Sequence, residues 1–253
     1  MVLIQLPALS DNYIYLIADP ESGEAAVVDP AEALPVLERL AQKGFRLRYL
    51  LNTHHHLDHV GANERLRQET GCHVVGYRGD ARRLPAVTTL VEEGDEVALG
   101  RYRLRVLEVP GHTRGHIAYY LPEKGWLFCG DTLFALGCGR LFEGTPHQMW
   151  QSLNKLRKLP PETKVCCAHE YTLKNARFAL TVDPENPKLK ARYEEVKRLT
   201  EKGKPTVPSL MEEELATNPF LRADDPALQR QLGMEGRDPV EVFAELRRRR
   251  DRF

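Results

Sequence analysis

The sequence lacks the features that mark membrane proteins and strongly charged proteins. No apolar run approaches the roughly 18 residues that a membrane-spanning helix needs, and the N-terminus has neither the basic start nor the cleavage site of a signal peptide. The 36 basic and 36 acidic side chains balance, which removes the usual electrostatic argument for nucleic acid as a partner. We therefore expect a cytoplasmic protein, a monomer, with no nucleic-acid partner and no membrane partner.

The cysteine pattern does not indicate disulfides or metal binding by thiolates. Five cysteines are an odd number without a CxxC pair, so neither a disulfide framework nor a thiolate zinc site is indicated. With 28% charged and 42% hydrophobic residues over 253 positions, the chain has the composition of an ordered globular protein. This length suits one large domain, or a domain of about 150 residues with a smaller companion.

Up to about residue 168 the sequence alternates short apolar, β-branched runs with turn residues. Helical spacing of apolar residues predicts two helices there, over Ala31 to Lys43 and over Gly61 to Thr70. This order of elements is typical of an α/β layered domain. The predicted strands are Val2 to Leu6, Tyr13 to Ala18, Ala25 to Asp29, Leu47 to Asn52, His73 to Gly76, Arg103 to Val109, Ile117 to Leu121, Trp126 to Cys129 and Lys164 to Ala168.

From Tyr171 onward no strand pattern competes with helix signals. Asn186-Pro187 and Asp238-Pro239 resemble helix starts, and Ser209 with Glu212 forms a capping-box pattern. We place a domain boundary near residue 170, with an α/β domain over 1–170 and a small all-helical domain over 171–253.

A dense group of potential metal ligands follows the apolar run that ends at Leu51. His54 and His56 are two residues apart, so an extended backbone can point both imidazoles to one side, while Asp58 and His59 face elsewhere. One tetrahedral ion cannot easily take four ligands from so short a segment. Two neighbouring metal ions are therefore the natural hypothesis.

Three further candidate ligands come directly after apolar runs. They are His112, Asp131 and His169. If those runs are neighbouring strands, their ends meet at one edge of the sheet, where open α/β folds place their sites. Ligand groups that converge in this way indicate a metal site.

The pattern HxHxDH with a later His, Asp and His resembles the metallo-β-lactamase superfamily, whose fold is a four-layer αβ/βα sandwich. Within it, further segments resemble the glyoxalase II, or hydroxyacylglutathione hydrolase, family. The resemblance extends over nearly the whole chain and implies a catalytic domain over 1–170 and a helical substrate-binding domain over 171–253. The segments are Ser10 to Tyr13, Thr53 to His59, Gly111 to His116, Gly130 to Phe134, Gly137 to Arg140, His169 to Thr172 and Asn218 to Arg222.

The resemblance also implies a ligand set for two divalent metal ions per chain. It gives His54, His56 and His112 to the first metal, and Asp58, His59 and His169 to the second. Asp131 bridges the two metals, and the roles assigned to Asp58 and Asp131 are catalytic. Nitrogen and oxygen ligands accept zinc, which we expect, and also iron or manganese.

The implied reaction is hydrolysis of a glutathione thioester, chiefly S-D-lactoylglutathione, to D-lactate and glutathione by a metal-bridging hydroxide, a step in methylglyoxal detoxification. Because the leaving thiol has a pKa of about 8.5, no dedicated general acid is required. The resemblance nominates Arg140, Tyr171, Arg247 and Arg250 as contacts for the glutathione thioester. Phe142 is a departure, since some relatives have tyrosine there.

Helical spacing places Arg247 and Arg250 on the same face as Phe243 and Leu246, which should point inward. A run of four arginines, Arg247 to Arg250, can instead be a solvated surface that complements the helix dipole. His55 occupies a variable position of the motif and is expected not to bind metal.

Three other functions stay open on the sequence. A persulfide dioxygenase shares HxHxDH and acts on glutathione-linked substrates, but resembles a one-iron enzyme that consumes oxygen. A superfamily nuclease would need more basic surface than this balanced charge provides. A non-catalytic metal-binding or nucleic-acid-binding module would show salt-sensitive binding without turnover.

Overall fold

The computed structural model describes residues 1–253, which divide into two units. The first unit comprises Met1–Glu108 with Gly115–Gly130, and the second comprises Val109–Arg114 with Asp131–Phe253. The boundary near residue 170 is a different division of the chain and stays a prediction. None of the helices is both long and apolar enough to span a bilayer.

The first unit contains ten strands and three helices. The strands are β1 (Val2–Ala8), β2 (Asn12–Asp19), β3 (Glu24–Val28), β4 (Arg46–Leu51), β5 (His73–Tyr77), β6 (Thr89–Val91), β7 (Glu96–Leu99), β8 (Tyr102–Glu108), β9 (Ile117–Leu121) and β10 (Trp126–Gly130). The helices are α1 (Leu34–Lys43), α2 (Leu57–Val60) and α3 (Asn63–Thr70).

Strands β1 to β6 form a mixed sheet in sequence order. The first three strands are antiparallel, and the pairs β3–β4, β4–β5 and β5–β6 are parallel. Parallel β3 and β4 pair Val28 with Leu51, so the loops that begin at Asp29 and Asn52 leave the same edge of the sheet. This arrangement delivers the histidine-rich segment to a sheet edge.

The two faces of this sheet pack against different partners. Helices α1 and α3 cover one face through buried Val36, Leu40 and Leu66. On the other face Tyr15 lies 5.7 Å from Phe128 of β10, ring centroid to ring centroid. Strands β7 to β10 form an antiparallel run, β7-β8-β9-β10, so the unit has an α/β/β order of layers.

The second unit is largely helical. Its strands are β11 (Leu133–Phe134), β12 (Gly137–Cys138), β13 (Lys164–Cys167) and β14 (Ser209–Leu210), paired β11–β12 and β13–β14. Its helices are α4 (Pro146–Leu156), α5 (Thr172–Val182), α6 (Pro187–Glu201), α7 (Met211–Thr217), α8 (Pro226–Leu232) and α9 (Pro239–Arg252). An aromatic core joins the helices, with Phe243 of α9 6.3 Å from Trp150 and 5.9 Å from Phe220.

Most of the predicted elements are confirmed. All nine predicted strands occur, and Asn186 and Asp238 cap α6 and α9 by accepting backbone N–H bonds. The capping box placed at Ser209 with Glu212 is wrong by one position, because Leu210 N–H donates to Glu213 and Ser209 belongs to β14. After Tyr171 the only strand is therefore the two-residue β14, and the other regular elements are helices.

Candidate metal centre and substrate cavity

Four of the predicted ligands follow β4 in the first unit. His54 is buried directly after the strand, and its ring centroid lies 4.1 Å from that of His59 and 4.6 Å from that of His56. His59 Nε2 lies 3.3 Å from Asp58 Oδ2, since the short helix α2 places these neighbours side by side. The structure thus brings His54, His56, Asp58 and His59 together.

Asp29 orients this group and was missed by the sequence analysis. Its carboxylate accepts hydrogen bonds from the N–H and Oγ1 of Thr53 at 2.8 and 2.7 Å, and it lies 3.0 Å from His59 Nδ1. Because Nδ1–H donates to Asp29, the lone pair of His59 is on Nε2, the atom that faces Asp58. The only available signal was an acidic residue at the end of a predicted strand.

His55 points into different surroundings. Its Nδ1 lies 3.3 Å from a carboxylate oxygen of Asp80, and its Nε2 lies 3.2 Å from Arg83 Nη1. Both ring nitrogens are therefore next to side chains outside the group of predicted ligands, which is the arrangement expected of a non-ligand.

The other three predicted ligands lie together in the second unit. Asp131 Oδ2 is 3.3 Å from His112 Nε2, and Asp131 Oδ1 is 3.4 Å from His169 Nε2. His112 Nδ1 lies 2.9 Å from the carbonyl oxygen of Arg140, to which it donates, so its lone pair is on Nε2. One carboxylate therefore presents each of its oxygens to a different imidazole.

These separations fit metal ligands better than direct hydrogen bonds. Two atoms that each bind a tetrahedral zinc ion at about 2.1 Å lie about 3.4 Å apart. The distances from Asp131 to His112 and His169, 3.3 and 3.4 Å, agree with this spacing, as does the 3.3 Å between Asp58 and His59. The donor set of imidazole nitrogens and carboxylate oxygens suits divalent zinc, iron or manganese.

A cavity of about 320 Å³ opens beside Asp131 in the second unit. Gly139 allows the wall to approach closely, because a Cβ there would lie 1.9 Å from the Asp131 carbonyl oxygen. The lining includes two predicted ligands and all four nominated substrate contacts: His112, Asp131, Arg140, Tyr171, Arg247 and Arg250. Lys174 and Asn175 also line the cavity and were not singled out in the sequence.

The arginines of α9 divide between two faces as the helical spacing predicts. Arg247 is buried and donates from Nη1 to the carbonyl oxygen of Cys138 at 2.9 Å, while Arg250 donates to Asn175 Oδ1 at 3.1 Å. Arg248 and Arg249 instead form ion pairs with Glu245. Burial and the like charges of Arg247 and Arg140 lower the pKa of Arg250.

Aromatic rings flank the ligands. The Tyr171 ring stacks on His169 with centroids 4.7 Å apart, and the Phe142 ring lies edge-on to His112 at 5.2 Å. Phe142 is 62% exposed, so its side chain faces solvent beside the cavity. It offers an apolar surface there and no hydroxyl donor.

The buried thiols are not suited to nucleophilic catalysis. Burial raises the pKa of the Cys138 thiol to about 11 and that of Cys167 to about 12, in each case disfavouring the reactive thiolate. Cys138 lines the cavity, yet it stays a thiol at neutral pH. Neither thiol is therefore suited to act as a nucleophile.

Comparison with known families agrees with this arrangement of residues. The sequence model described as metallo-beta-lactamase superfamily matches residues 9–169, and that described as hydroxyacylglutathione hydrolase C-terminus matches residues 170–253. A protein named hydroxyacylglutathione hydrolase from Methylococcus capsulatus is 56% identical over 251 residues, which cover 99% of this chain and 98% of that protein. The chain belongs to the hydroxyacylglutathione hydrolase family. It is therefore a metal-dependent hydrolase.

Solved structures support the fold of this hydroxyacylglutathione hydrolase family member. ETHE1 from Myxococcus xanthus is 31% identical, with a TM-score of 0.63 over 88% of this chain and 99% of that one. A protein solved in a di-iron-bound form, TTHA1623, is 30% identical, with a TM-score of 0.57 over 67% of this chain and 92% of that one. The predicted metallo-β-lactamase fold with a helical C-terminal region is confirmed.

Proposed function

We propose that the chain hydrolyses S-(2-hydroxyacyl)glutathione, chiefly S-D-lactoylglutathione, to D-lactate and glutathione as part of methylglyoxal detoxification. The observation that carries this proposal is the placement of Asp131, whose two oxygens face His112 and His169 separately. A carboxylate whose two oxygens face different imidazoles is suited to bridge two metal ions, each bound by one of those imidazoles. The family name of the relatives supports the substrate class.

We assign His54, His56 and His112 to one metal and Asp58, His59 and His169 to the other, with Asp131 between them. When bound, the two metals supply an activated water at neutral pH and polarise the thioester carbonyl. Zinc is our expectation for both ions, with iron or manganese as alternatives that the same donors accept. We further propose that the enzyme is monomeric and cytoplasmic. Residues 171–253 form its helical substrate-binding part in this proposal.

The chain's own residues keep the ligands in the correct form. Asp29 accepts the Nδ1 proton of His59, and the Arg140 carbonyl accepts that of His112, so each imidazole presents Nε2 as its ligand atom. Such partners also fix the orientation of each ring. Their loss in related kinds of site costs about 10- to 100-fold in metal affinity or activity.

The cavity supplies the charges that a glutathione moiety requires. Glutathione has two carboxylates, and the cavity is lined by four cations, Arg140, Lys174, Arg247 and Arg250. We infer that the carboxylates bind these cations while the thioester lies toward Asp131. Product glutathione leaves as a thiolate, whose conjugate acid has a pKa of about 8.5, so no side chain has to donate a proton.

The proposed function is tested by thiol release from S-D-lactoylglutathione, followed with a thiol reagent. We expect turnover that stops after treatment with a chelator and returns with added zinc. Acetyl-coenzyme A serves as a thioester control that lacks the glutathione carboxylates, and it should be a poor substrate. Equal turnover of both thioesters, or oxygen uptake without thiol release, would contradict the proposal.

Replacing Arg250 by glutamine should weaken substrate binding without slowing the chemical step. A hydrogen bond to a charged group contributes about 1.5–3 kcal/mol, so KM for S-D-lactoylglutathione should rise about tenfold or more while kcat stays near wild type. Arg248→Gln is the matched control, because Arg248 lies on the same helix and pairs with Glu245 instead of facing the cavity. A similar KM in both variants would show that Arg250 does not bind substrate.

A further inference from the structure

Asp251 is a carboxylate of this chain that lies against the arginines of the cavity. Its Oδ1 accepts from Arg247 Nε at 3.1 Å and from Arg247 Nη2 at 2.8 Å, and it lies 3.8 Å from Arg140 Nε. The Asp251 side chain is 43% exposed, whereas that of Arg247 is 6% exposed. A partly exposed acid therefore neutralises a buried arginine of the cavity lining.

The contacts of Arg247 show which part of the guanidinium Asp251 occupies. Nε and Nη2 form the side edge of the group, the edge that can bind a carboxylate with two parallel hydrogen bonds. Asp251 takes this edge, and the Cys138 carbonyl takes Nη1 on the opposite side. An incoming carboxylate must therefore share Arg247 with Asp251 or displace it.

The charges around the cavity determine how this competition affects the binding of anions. Four cations line the cavity, and the one acidic side chain in the lining, Asp131, faces His112 and His169. Asp251 adds a negative charge beside Arg247 and Arg140 and so lowers the attraction that the cavity exerts on anions. An anion such as glutathione should bind less tightly than the four cations alone would allow.

We propose that Asp251 competes with the substrate carboxylate for Arg247 and Arg140, and thereby limits the affinity of the cavity for glutathione. This inference rests on the proposed function, because it takes the cavity to be the glutathione site. Weakened binding of the product, which carries two carboxylates, favours its release after hydrolysis.

The test replaces Asp251 by asparagine, which keeps the shape of the side chain and removes its charge. Because the competing charge is removed, KM for S-D-lactoylglutathione and the Kd of glutathione should both fall, by up to about fivefold, which corresponds to about 1 kcal/mol. The gain should appear in KM rather than in kcat and should shrink at 1 M salt, where charges are screened within about 3 Å. Asp251→Glu retains the charge and should behave as wild type.

Glu245→Gln is the matched control. Glu245 lies on the same helix and pairs with Arg248 and Arg249, away from the cavity, so its replacement should leave KM and Kd unchanged. If Asp251 only holds Arg247 in place, Asp251→Asn will instead weaken glutathione binding and raise KM, which overturns the proposal. An unchanged Kd in Asp251→Asn overturns it as well.

The two proposals fail in different ways. Calorimetric titration with glutathione measures the effect of Asp251 on binding and does not depend on turnover. Wild-type protein that binds glutathione more weakly than Asp251→Asn but releases no thiol from the thioester would refute the proposed function and support the role of Asp251. Turnover without tighter binding in Asp251→Asn would do the reverse.

Discussion

Replacing Asp131 by alanine should reduce thioester hydrolysis by more than about a thousandfold, because this change removes the carboxylate that we propose the two metal ions share. Asp131 presents Oδ2 to His112 and Oδ1 to His169 at 3.3 and 3.4 Å, and alanine supplies neither oxygen. Metal content should fall together with kcat. Both are measured on the same purified variant.

Two further variants complete the test of this prediction: one removes only the charge of Asp131, and the other is a control. Asp131→Asn preserves the shape of the side chain and loses its charge, and it should lose nearly as much activity, because an amide is a poor bridge between cations. Asp224→Ala removes an acidic side chain of the second unit that pairs with Arg157, and it should retain wild-type turnover. A wild-type kcat in Asp131→Ala would contradict the proposal that two metal ions share the Asp131 carboxylate.

Replacing Glu214 by alanine should be among the most destabilising single changes in the second unit. Glu214 is fully buried and pairs with buried Arg192. It also accepts hydrogen bonds from Asn218 Nδ2 at 3.0 Å and from the Leu136 backbone at 2.8 Å. Removing one partner of a buried ion pair leaves the other charge uncompensated, at a cost of about 3–5 kcal/mol.

Equilibrium unfolding in urea measures this loss of stability. Glu195→Ala serves as the control, because Glu195 is an exposed residue of α6 and its replacement should change the free energy of unfolding by less than about 0.5 kcal/mol. A loss below about 1 kcal/mol in Glu214→Ala would mean that the network around Glu214 adds little to stability.

The sequence predicted the strands that carry the ligands because each is a short apolar run that ends in a polar side chain. β4 before Asn52, β10 before Asp131 and β13 before His169 all follow this rule. The missed strands, β6, β7, β11, β12 and β14, are two to four residues long. β6 and β7 are short, and the polar loop residues around them obscure the alternation that identifies a strand.

Contacts between residues that are distant in sequence could not be predicted from one chain. Asp29 lies 24 residues before Thr53, and only the pairing of β3 with β4 brings them together. Asp251 directly follows the run Arg247 to Arg250, and the sequence pattern did not single it out. Its role depends on the packing of α9, which turns Arg247 inward and away from Arg248.

We propose that hydrolysis by this chain depends on two metal ions held by seven side chains. The most direct test measures bound metal per chain in the sample whose turnover of S-D-lactoylglutathione is recorded, while zinc is added back to metal-free protein. We expect turnover to be absent without metal and to reach its maximum at two ions per chain. Full turnover in the metal-free protein would contradict a metal-dependent hydrolysis.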